Sequence, residues 1–264
     1  MVDKSARRNE VQTTHTAFDI LELLKRTDGA GLSTVASELD IAKSTAHRHL
    51  STLLERNYVV KEGDEFLVSL KFLEFGSYAS KRKPGYDLAT ELVDQLAAET
   101  GEHVQLFVEE HGKAVYLYGQ AGKQAVQSSP LLGKKLPLHA TAAGKSILAR
   151  LSDSRIQEII EQHGLPALTE NTITNEKRLW EEIRTVREQN YSLNREEDHA
   201  NLCAVGVPIR KGENGIFAAV SISGPTRRMQ GDRLENELPT YLLGRANELE
   251  LNIQFSNTSS DETV

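Results

Sequence analysis

Four residues near the front of the chain, Ser44, His47, Arg48 and Ser51, are spaced i, i+3, i+4 and i+7. On a helix they form one stripe. Each can hydrogen-bond a phosphate oxygen or a base edge, and none is acidic, so the chemistry on offer is the reading of a nucleic acid; the alternative for this stretch alone is the solvated face of an ordinary helix pair. Lys43 and Thr45, at the start of the same helix, add a cation and a hydroxyl. A second group, Gly144-Lys145-Ser146, invites a phosphate-loop reading, but that motif needs a glycine five positions before Gly144 and His139 stands there. Nucleotide hydrolysis is rejected on that ground. His199 and Cys203, with His139, supply nitrogen and sulfur donors of the kind zinc takes. Their segment reads as loop into strand, where i, i+4 residues diverge, so a satisfied histidine and a buried cysteine are expected and no metal. The pair Glu196-Glu197 sits in a polar run and reads as solvated. No Ser-His-Asp or Cys-His constellation has a local context that would assemble it.

The elements that must hold the cationic stripe lie in LSTVASELDIAKSTAHRHLSTLL, residues 32–54. Ser33 can cap a first short helix with Val35, Ala36 and Leu39 on its apolar side. Asp40-Ile41-Ala42 forms a turn. A second helix runs from about Lys43, with Ala46, Leu50, Leu53 and Leu54 facing inward. Upstream, Thr14 or Thr16 can cap a helix holding Phe18, Leu21 and Leu24, ended by Asp28-Gly29 and Gly31. Downstream the period changes to that of strands: Tyr58-Val59-Val60-Lys61, a turn at residues 62–65, then Phe66-Leu67-Val68. Three helices and a β-hairpin make a winged helix-turn-helix, whose second helix enters the major groove of DNA. The wing tip is acidic, so the wing should pack or touch sugar only weakly. Leu70 to Lys81 returns to helical spacing, and the run Lys81-Arg82-Lys83-Pro84-Gly85 breaks it, marking a domain boundary.

Beyond the boundary, residues 86–100 form an amphipathic helix with Leu88, Leu92, Val93 and Leu96 on one face, stopped by Gly101. Two alternating strands follow, Val104/Leu106/Val108 and Val115/Leu117, joined through His111-Gly112. Residues 119–135 read as loop. The small residues at 140–144 let a helix N-terminus come close to either a core strand or a bound, anionic ligand. Ser152 caps a helix with Ile156, Ile159 and Ile160, stopped by Gly164, and another covers about 175–189 with Leu179, Ile183 and Val186. Strands 202–209 and 216–223 form a hairpin whose small alternating residues suit a pocket floor. Residues 231–253 are helical, with a kink or break at Pro239.

The chain of 264 residues has a net charge of −7, 39% hydrophobic and 26% charged residues. It holds one large or two ordinary domains and does not read as a protein that coats nucleic acid. Residues 1–83 carry 13 Lys/Arg against 12 Asp/Glu and three histidines, so the acidic excess lies in the remainder. Only the head need meet DNA. A single cysteine rules out an internal disulfide framework, and no apolar run is long enough to span a bilayer or serve as a signal core. These features point to a cytoplasmic protein with no membrane partner. The domains expected are a disordered arm at 1–12 with Lys4, Arg7 and Arg8, a winged helix-turn-helix domain with linker helix at 13–83, an effector-binding and oligomerisation domain at 84–255, and a disordered tail at 256–264.

Three stretches carry a family resemblance: IAKSTAHRHLSTLLERNYV (41–59), LPLHATAAGKSILA (136–149) and AAVSISGPTRRM (218–229). In their order and spacing the chain resembles the IclR family of transcriptional regulators over about residues 14–253. The resemblance implies an α+β protein: an N-terminal winged helix-turn-helix domain that binds double-stranded operator DNA, and a C-terminal GAF-like domain, an antiparallel sheet flanked by helices, that binds a small effector without a cofactor. It implies a homodimer, often paired into a homotetramer. Carried over by position, the effector pocket takes Ala142, Ala143, Asn194, Leu202, Ala204, Ser221 and Ser223, with Asn194 in the loop before the strand. Members that bind small acids often have aspartate in place of Asn194, cysteine in place of Ala204 and glycine in place of Asn201. The i, i+2 spacing of Ser221 and Ser223 puts both hydroxyls on one sheet face, where facing helix N–H groups near Ala142 and Ala143 they suit a carboxylate or a polyhydroxylated molecule; the alternative is that both simply bond neighbouring strands or face solvent. The function expected is a ligand-controlled repressor or activator without catalysis, its effector a small organic, sugar or aromatic acid. The alternative is an enzyme acting on that molecule, with the winged domain used for assembly.

Overall fold

The computed structural model describes residues 10–83, 85–125, 132–211 and 215–261. The chain divides into two compact units, Met1–Ala79 and Ser80–Val264. Most of the 1–12 arm, including Lys4, Arg7 and Arg8, lies outside the described residues, as does the end of the tail at 262–264.

In the first unit, α1 (Gln12–Thr27), α2 (Leu32–Glu38) and α3 (Lys43–Glu55) pack around Ile20, Leu23, Leu24, Val35, Ala46 and Leu50, all buried. Several local expectations are corrected. The first helix starts before Thr14 and Thr16, behind Val11, and Thr16 Oγ1 instead donates to the Gln12 carbonyl at 3.1 Å. Gly31, not Ser33, precedes α2, and Ser33 sits inside the helix. Phe18 is 61% exposed and Leu54 37%, because the buried stripes are set by Ile20/Leu23/Leu24 and by Ala46/Leu50/Leu53. Asp40 turns the chain between α2 and α3 with a positive φ of 49°, a conformation Asp adopts more readily than most residues. The wing strands β2 (Val59–Glu62) and β3 (Glu65–Val68) pair antiparallel, and a two-residue strand β1 (Ala30–Gly31) adds to β3. α4 (Lys71–Ser80) follows and buries none of its residues.

The second unit is a six-stranded antiparallel sheet in the order β6-β5-β4-β9-β8-β7. Its strands are β4 (His103–Glu110), β5 (Lys113–Ala121), β6 (Lys135–Pro137), β7 (Ser192–Arg195), β8 (Leu202–Lys211) and β9 (Gly215–Pro225). Of the stretch 119–135 expected to be loop, β5 takes the start to Ala121 and β6 begins at its last residue, Lys135, and Asn194 lies in edge strand β7 rather than in a loop before it. Alternation along the strands feeds two cores. On one face Val104, Leu106, Val205, Val207, Val220 and Ile222 meet α5 (Tyr86–Thr100) and α9 (Leu238–Asp261). On the other, Phe107, Tyr116 and Ala219 meet α6 (Ala142–Leu148), α7 (Asp153–His163) and α8 (Glu176–Gln189). Pro239 falls in the first turn of α9, where its missing N–H costs nothing. The break lies just before it, as a wide turn of helix at Arg233–Glu237. α9 is described to Asp261, past the expected start of the tail at residue 256.

Candidate nucleic-acid interface and ligand cavity

On α3 the residues singled out by spacing emerge on the outside. Lys43, Ser44, His47, Arg48 and Ser51 are exposed and Thr45 is half-buried, while Ala46 and Leu50 point into the core. No acidic residue stands in the first turn of the helix. The wing tip, Glu62 to Glu65, is solvent-exposed, while the wing strands pack against the unit through Val59, Phe66 and Val68 and through the pairing of Glu65 with Gly31. Beside this face lies a cleft of about 870 Å³ between α1, α3 and the start of α4, lined by Phe18, Leu21, Arg48, Tyr58, Phe72 and Phe75. Phe18 and Phe75 are 61% and 50% exposed there.

The second unit holds a cavity of about 330 Å³ on the α6 side of the sheet. Strand register builds its floor. His103, Ser223, Ala204 and Asn194 lie directly opposite one another across β4, β9, β8 and β7, and the next row is Gln105, Ser221, Gly206 and Ser192. Of the expected residues, Ala142, Asn194, Leu202, Ala204, Ser221 and Ser223 line the cavity. Ala143 does not; it is 1% exposed and packs in the core with Ile147 and Phe107. The reason is Gly206: a Cβ there would lie 2.6 Å from the Ala142 carbonyl carbon and 2.7 Å from the Ala143 nitrogen. The helix start is therefore pressed onto β8, and of the two partners the small residues allowed, a core strand takes Ala143, while Gly144 closes on the Leu138 backbone. The Thr141 hydroxyl also accepts from the Gly144 N–H at 3.0 Å. Ser221 and Ser223 line the cavity with Thr141 and Ala142, and their hydroxyls donate to Gln105 Oε1 on the neighbouring strand, at 3.2 Å from Ser221 and 3.1 Å from Ser223.

The cavity also takes residues not expected in it: His103, Gln105, Phe107, Leu136, Asp198 and His199. His103, Gln105 and Phe107 alternate with the apolar set Val104/Leu106/Val108, which was visible in the sequence. What pairs them with Ser221 and Ser223 is register, which no local pattern states. Burial pushes His103 below the usual histidine range, which favours the neutral ring. Asn194 holds the cavity edge: its Nδ2 donates to Ala140 O at 3.1 Å and to Asp198 Oδ1 at 2.7 Å, and its Oδ1 accepts from the Glu197 N–H at 2.8 Å. Asn201, at the position where glycine is usual, has a φ of 62°. This is the left-handed region that asparagine tolerates better than most non-glycine residues.

Behind that edge is a buried ionic cluster. Lys145 is 1% exposed and donates to both oxygens of Glu197, at 2.8 and 2.9 Å, and to Glu182 Oε1 at 2.8 Å. Glu197 is thus buried and paired rather than solvated; the reading of this polar run as surface fails because its partner lies 52 residues upstream. Burial raises the Glu197 carboxyl above its ordinary range, against the lowering pull of Lys145. Of the residues weighed as metal donors, His139 Nε2 lies 3.1 Å from the Pro166 carbonyl, Cys203 is buried, and His199 is exposed at the cavity mouth beside Asp198.

Compared with known proteins, residues 16–63 match the model of the IclR helix-turn-helix domain. Residues 85–250 match that of the bacterial transcriptional regulator IclR C-terminal domain. The chain is 31% identical over 242 residues to the probable HTH-type transcriptional regulator ArcR of Halobacterium salinarum, covering 90% of this chain and 92% of that protein. It is similar to the crystal structure of the Thermotoga maritima IclR, with a TM-score of 0.76 and 29% identity over 92% of this chain and 99% of that one. It also resembles the inducer-binding domain of a double mutant of the Acinetobacter transcription factor PobR, solved with 3-hydroxybenzoic acid. There the TM-score is 0.57 and the identity 31%, over 64% of this chain and 97% of that domain.

Proposed function

This chain belongs to the IclR family of transcriptional regulators, and from that premise we propose that it is a non-catalytic switch in which a small acid in the rear cavity sets the grip of α3 on operator DNA. The outward face of Lys43, Ser44, Thr45, His47, Arg48 and Ser51 reads the duplex. The effector lies against Ala142, Asn194, Leu202, Ala204, Ser221 and Ser223. The observation that carries the reading is the division of one chain into a unit with an exposed cationic helix face and a unit with a floored, partly polar cavity. The cavity lining supports binding rather than turnover, because its hydroxyls and amides are engaged with one another and no activated nucleophile stands among them. A ligand of one ring or a short chain fits the space. The likeness to the Acinetobacter domain supports an aromatic acid among the candidates.

The protein works as a homodimer, two recognition helices meeting half-sites about one DNA turn, roughly 34 Å, apart. The apolar cleft between α1 and α4, with Phe18 and Phe75 exposed and no buried residue on α4, supports pairing through this face. Effector binding shifts the population between placements of the paired heads, and a tenfold change in operator affinity needs only about 1.4 kcal/mol of coupling. No described helix is long and apolar enough to cross a membrane, which supports action in the cytoplasm, where the DNA is.

Replacing Arg48 with Ala tests the reading. Loss of one such contact costs about 1–3 kcal/mol per half-site. Operator binding measured by fluorescence anisotropy should weaken accordingly, with the dimer intact by light scattering. Unchanged affinity would remove Arg48 from the interface.

A further inference from the structure

The polar groups under the cavity form one connected chain. Ser221 and Ser223 donate to Gln105 Oε1, Gln105 Nε2 lies 3.3 Å from His103 Nδ1, and His103 Nε2 lies 3.3 Å from the Tyr116 hydroxyl. The Ser223 hydroxyl also lies 3.5 Å from the His103 carbonyl. The directions are coupled. Because Gln105 turns its NH2 toward His103, Nδ1 must accept, so the neutral ring carries its hydrogen on Nε2 and donates it to Tyr116. Because Gln105 Oε1 absorbs both serine hydrogens, the serines offer lone pairs to the cavity. In this state the floor suits a ligand hydroxyl or amine and repels a carboxylate.

A second state satisfies Gln105, His103 and Tyr116 as well as the first, and leaves the two serine hydrogens to find an acceptor in a ligand. Turning the Gln105 amide by half a rotation points its oxygen at His103 and its NH2 at the serines. His103 then carries its hydrogen on Nδ1, and the Tyr116 hydroxyl donates to Nε2. Nε2 gives its proton to water and Nδ1 takes one from water, so the net charge does not change. Both serine hydrogens are now free to point into the cavity, where they suit a carboxylate. We propose that Gln105 and His103 are the specificity-determining residues of the cavity, a tautomer relay that sets whether Ser221 and Ser223 present acceptors or donors to the effector. This deepens the effector reading above and rests on it for the identity of the site. The groups facing the relay are Tyr116 on β5, the serines on β9, and Asp198, His199 and Lys134, which line the same cavity. Burial pushes the Tyr116 hydroxyl up to about 12, so it keeps its proton in both states. Glu102, next to His103 in sequence, is held by Arg228 and Arg233 and does not supply the ring with a charge partner.

The test uses nitrogen NMR of the full-length protein labelled at histidine, with two probes of one shape, 3-hydroxybenzoate and 3-hydroxybenzyl alcohol. Without ligand, His103 should show its unprotonated nitrogen at Nδ1. In Gln105→Glu, whose two oxygens can only accept, Nδ1 should gain a hydrogen, as the Nδ1 tautomer or the imidazolium. A ring whose Nδ1 stays unprotonated in that variant overturns the relay, with or without a ligand. With 3-hydroxybenzoate, the wild-type ring should adopt the Nδ1 tautomer, and with the alcohol it should not. Gln105→Glu should weaken the benzoate on the order of tenfold or more by charge repulsion and leave the alcohol nearly unchanged. Equal weakening of both probes overturns the relay. If neither probe binds, the single-ring effector fails, and the ligand-free tautomer still decides for or against the relay.

Discussion

Replacing Lys145 with Met keeps the length of the side chain and removes its charge. The perturbation is severe because of where Lys145 sits, 1% exposed, with three hydrogen bonds to Glu197 and Glu182. Truncating one partner of a buried pair leaves the other uncompensated, at a cost of about 3–5 kcal/mol. Glu182 is 30% exposed and can hydrate, so most of the loss falls on Glu197, at 8%. For a unit of this size, urea denaturation with a slope of roughly 2–3 kcal/mol/M should show the midpoint falling by about 1–2 M. The deficit has a pH signature. Burial already raises the Glu197 carboxyl, and Lys145 supplies the two largest opposing effects. Without Lys145 the folded pKa rises further. A carboxyl whose folded pKa lies above its unfolded value binds a proton more tightly when folded. Its handicap is therefore complete above the folded pKa and fades as pH falls toward the unfolded value of about 4.3. The difference between wild type and Lys145→Met should be largest at neutral pH and shrink toward pH 5. Adding Glu197→Gln to the variant should recover part of the loss at neutral pH. A neutral-pH deficit below about 1 kcal/mol, or one that is the same at pH 5.5 and 7.5, would refute the reasoning.

Gly206→Val should cost about 1–3 kcal/mol in urea denaturation, because the new side chain overlaps the Ala142–Ala143 backbone and must lift α6 from β8. The same variant should lose effector binding, since Ala142 lines the cavity. Ser221→Ala with Ser223→Ala should abolish the effect of effector on operator gel shifts while sparing DNA binding; induction at normal effector concentration would mean the effector lies elsewhere.

What could be read from the chain follows from how local each signal is. α7 and α8 were legible because their ends announce themselves: Ser152 accepts from the Arg155 N–H at 3.3 Å, Gly164 ends the first helix, and Asn175 caps the second. The α3 face was legible because a 3.6-residue period sorts its inside from its outside within four turns. β1 and β6, of two and three residues, are too short for any period. Asn194 reads as loop because β7 has only four residues, and its pairing with β8 is the whole of the evidence for it. The ligand cavity was half legible. Ser221 and Ser223 carry a spacing, but His103 and Gln105 enter only through pairing with residues more than a hundred positions away. Glu197 was misread for the same reason.

Four buried serines show how little separates a fastening from a site. Ser146 donates to the Gly206 carbonyl at 2.8 Å, and Ser192 bonds Ser146 and the Ala142 carbonyl, so these two bolt α6 to the sheet. Ser221 lies in the same cross-strand row as Ser192, with Gly206 between them, and Ser223 lies one row further along. α6 begins over Gly206. The row beyond its start, His103, Ser223, Ala204 and Asn194, floors the cavity together with Gln105 and Ser221 at the far end of the Gly206 row. Thr141 fixes the point of transition, since its hydroxyl caps Gly144 while the residue itself lines the space. The cavity thus exists because a seven-residue helix starts where it does over a glycine, and its chemistry is set by the residues that floor it. A slip of one residue in β9 would turn both serines to the opposite face, against α5 and α9, and replace them with apolar neighbours. The register that builds the core therefore also builds the binding site, and neither can be altered without the other.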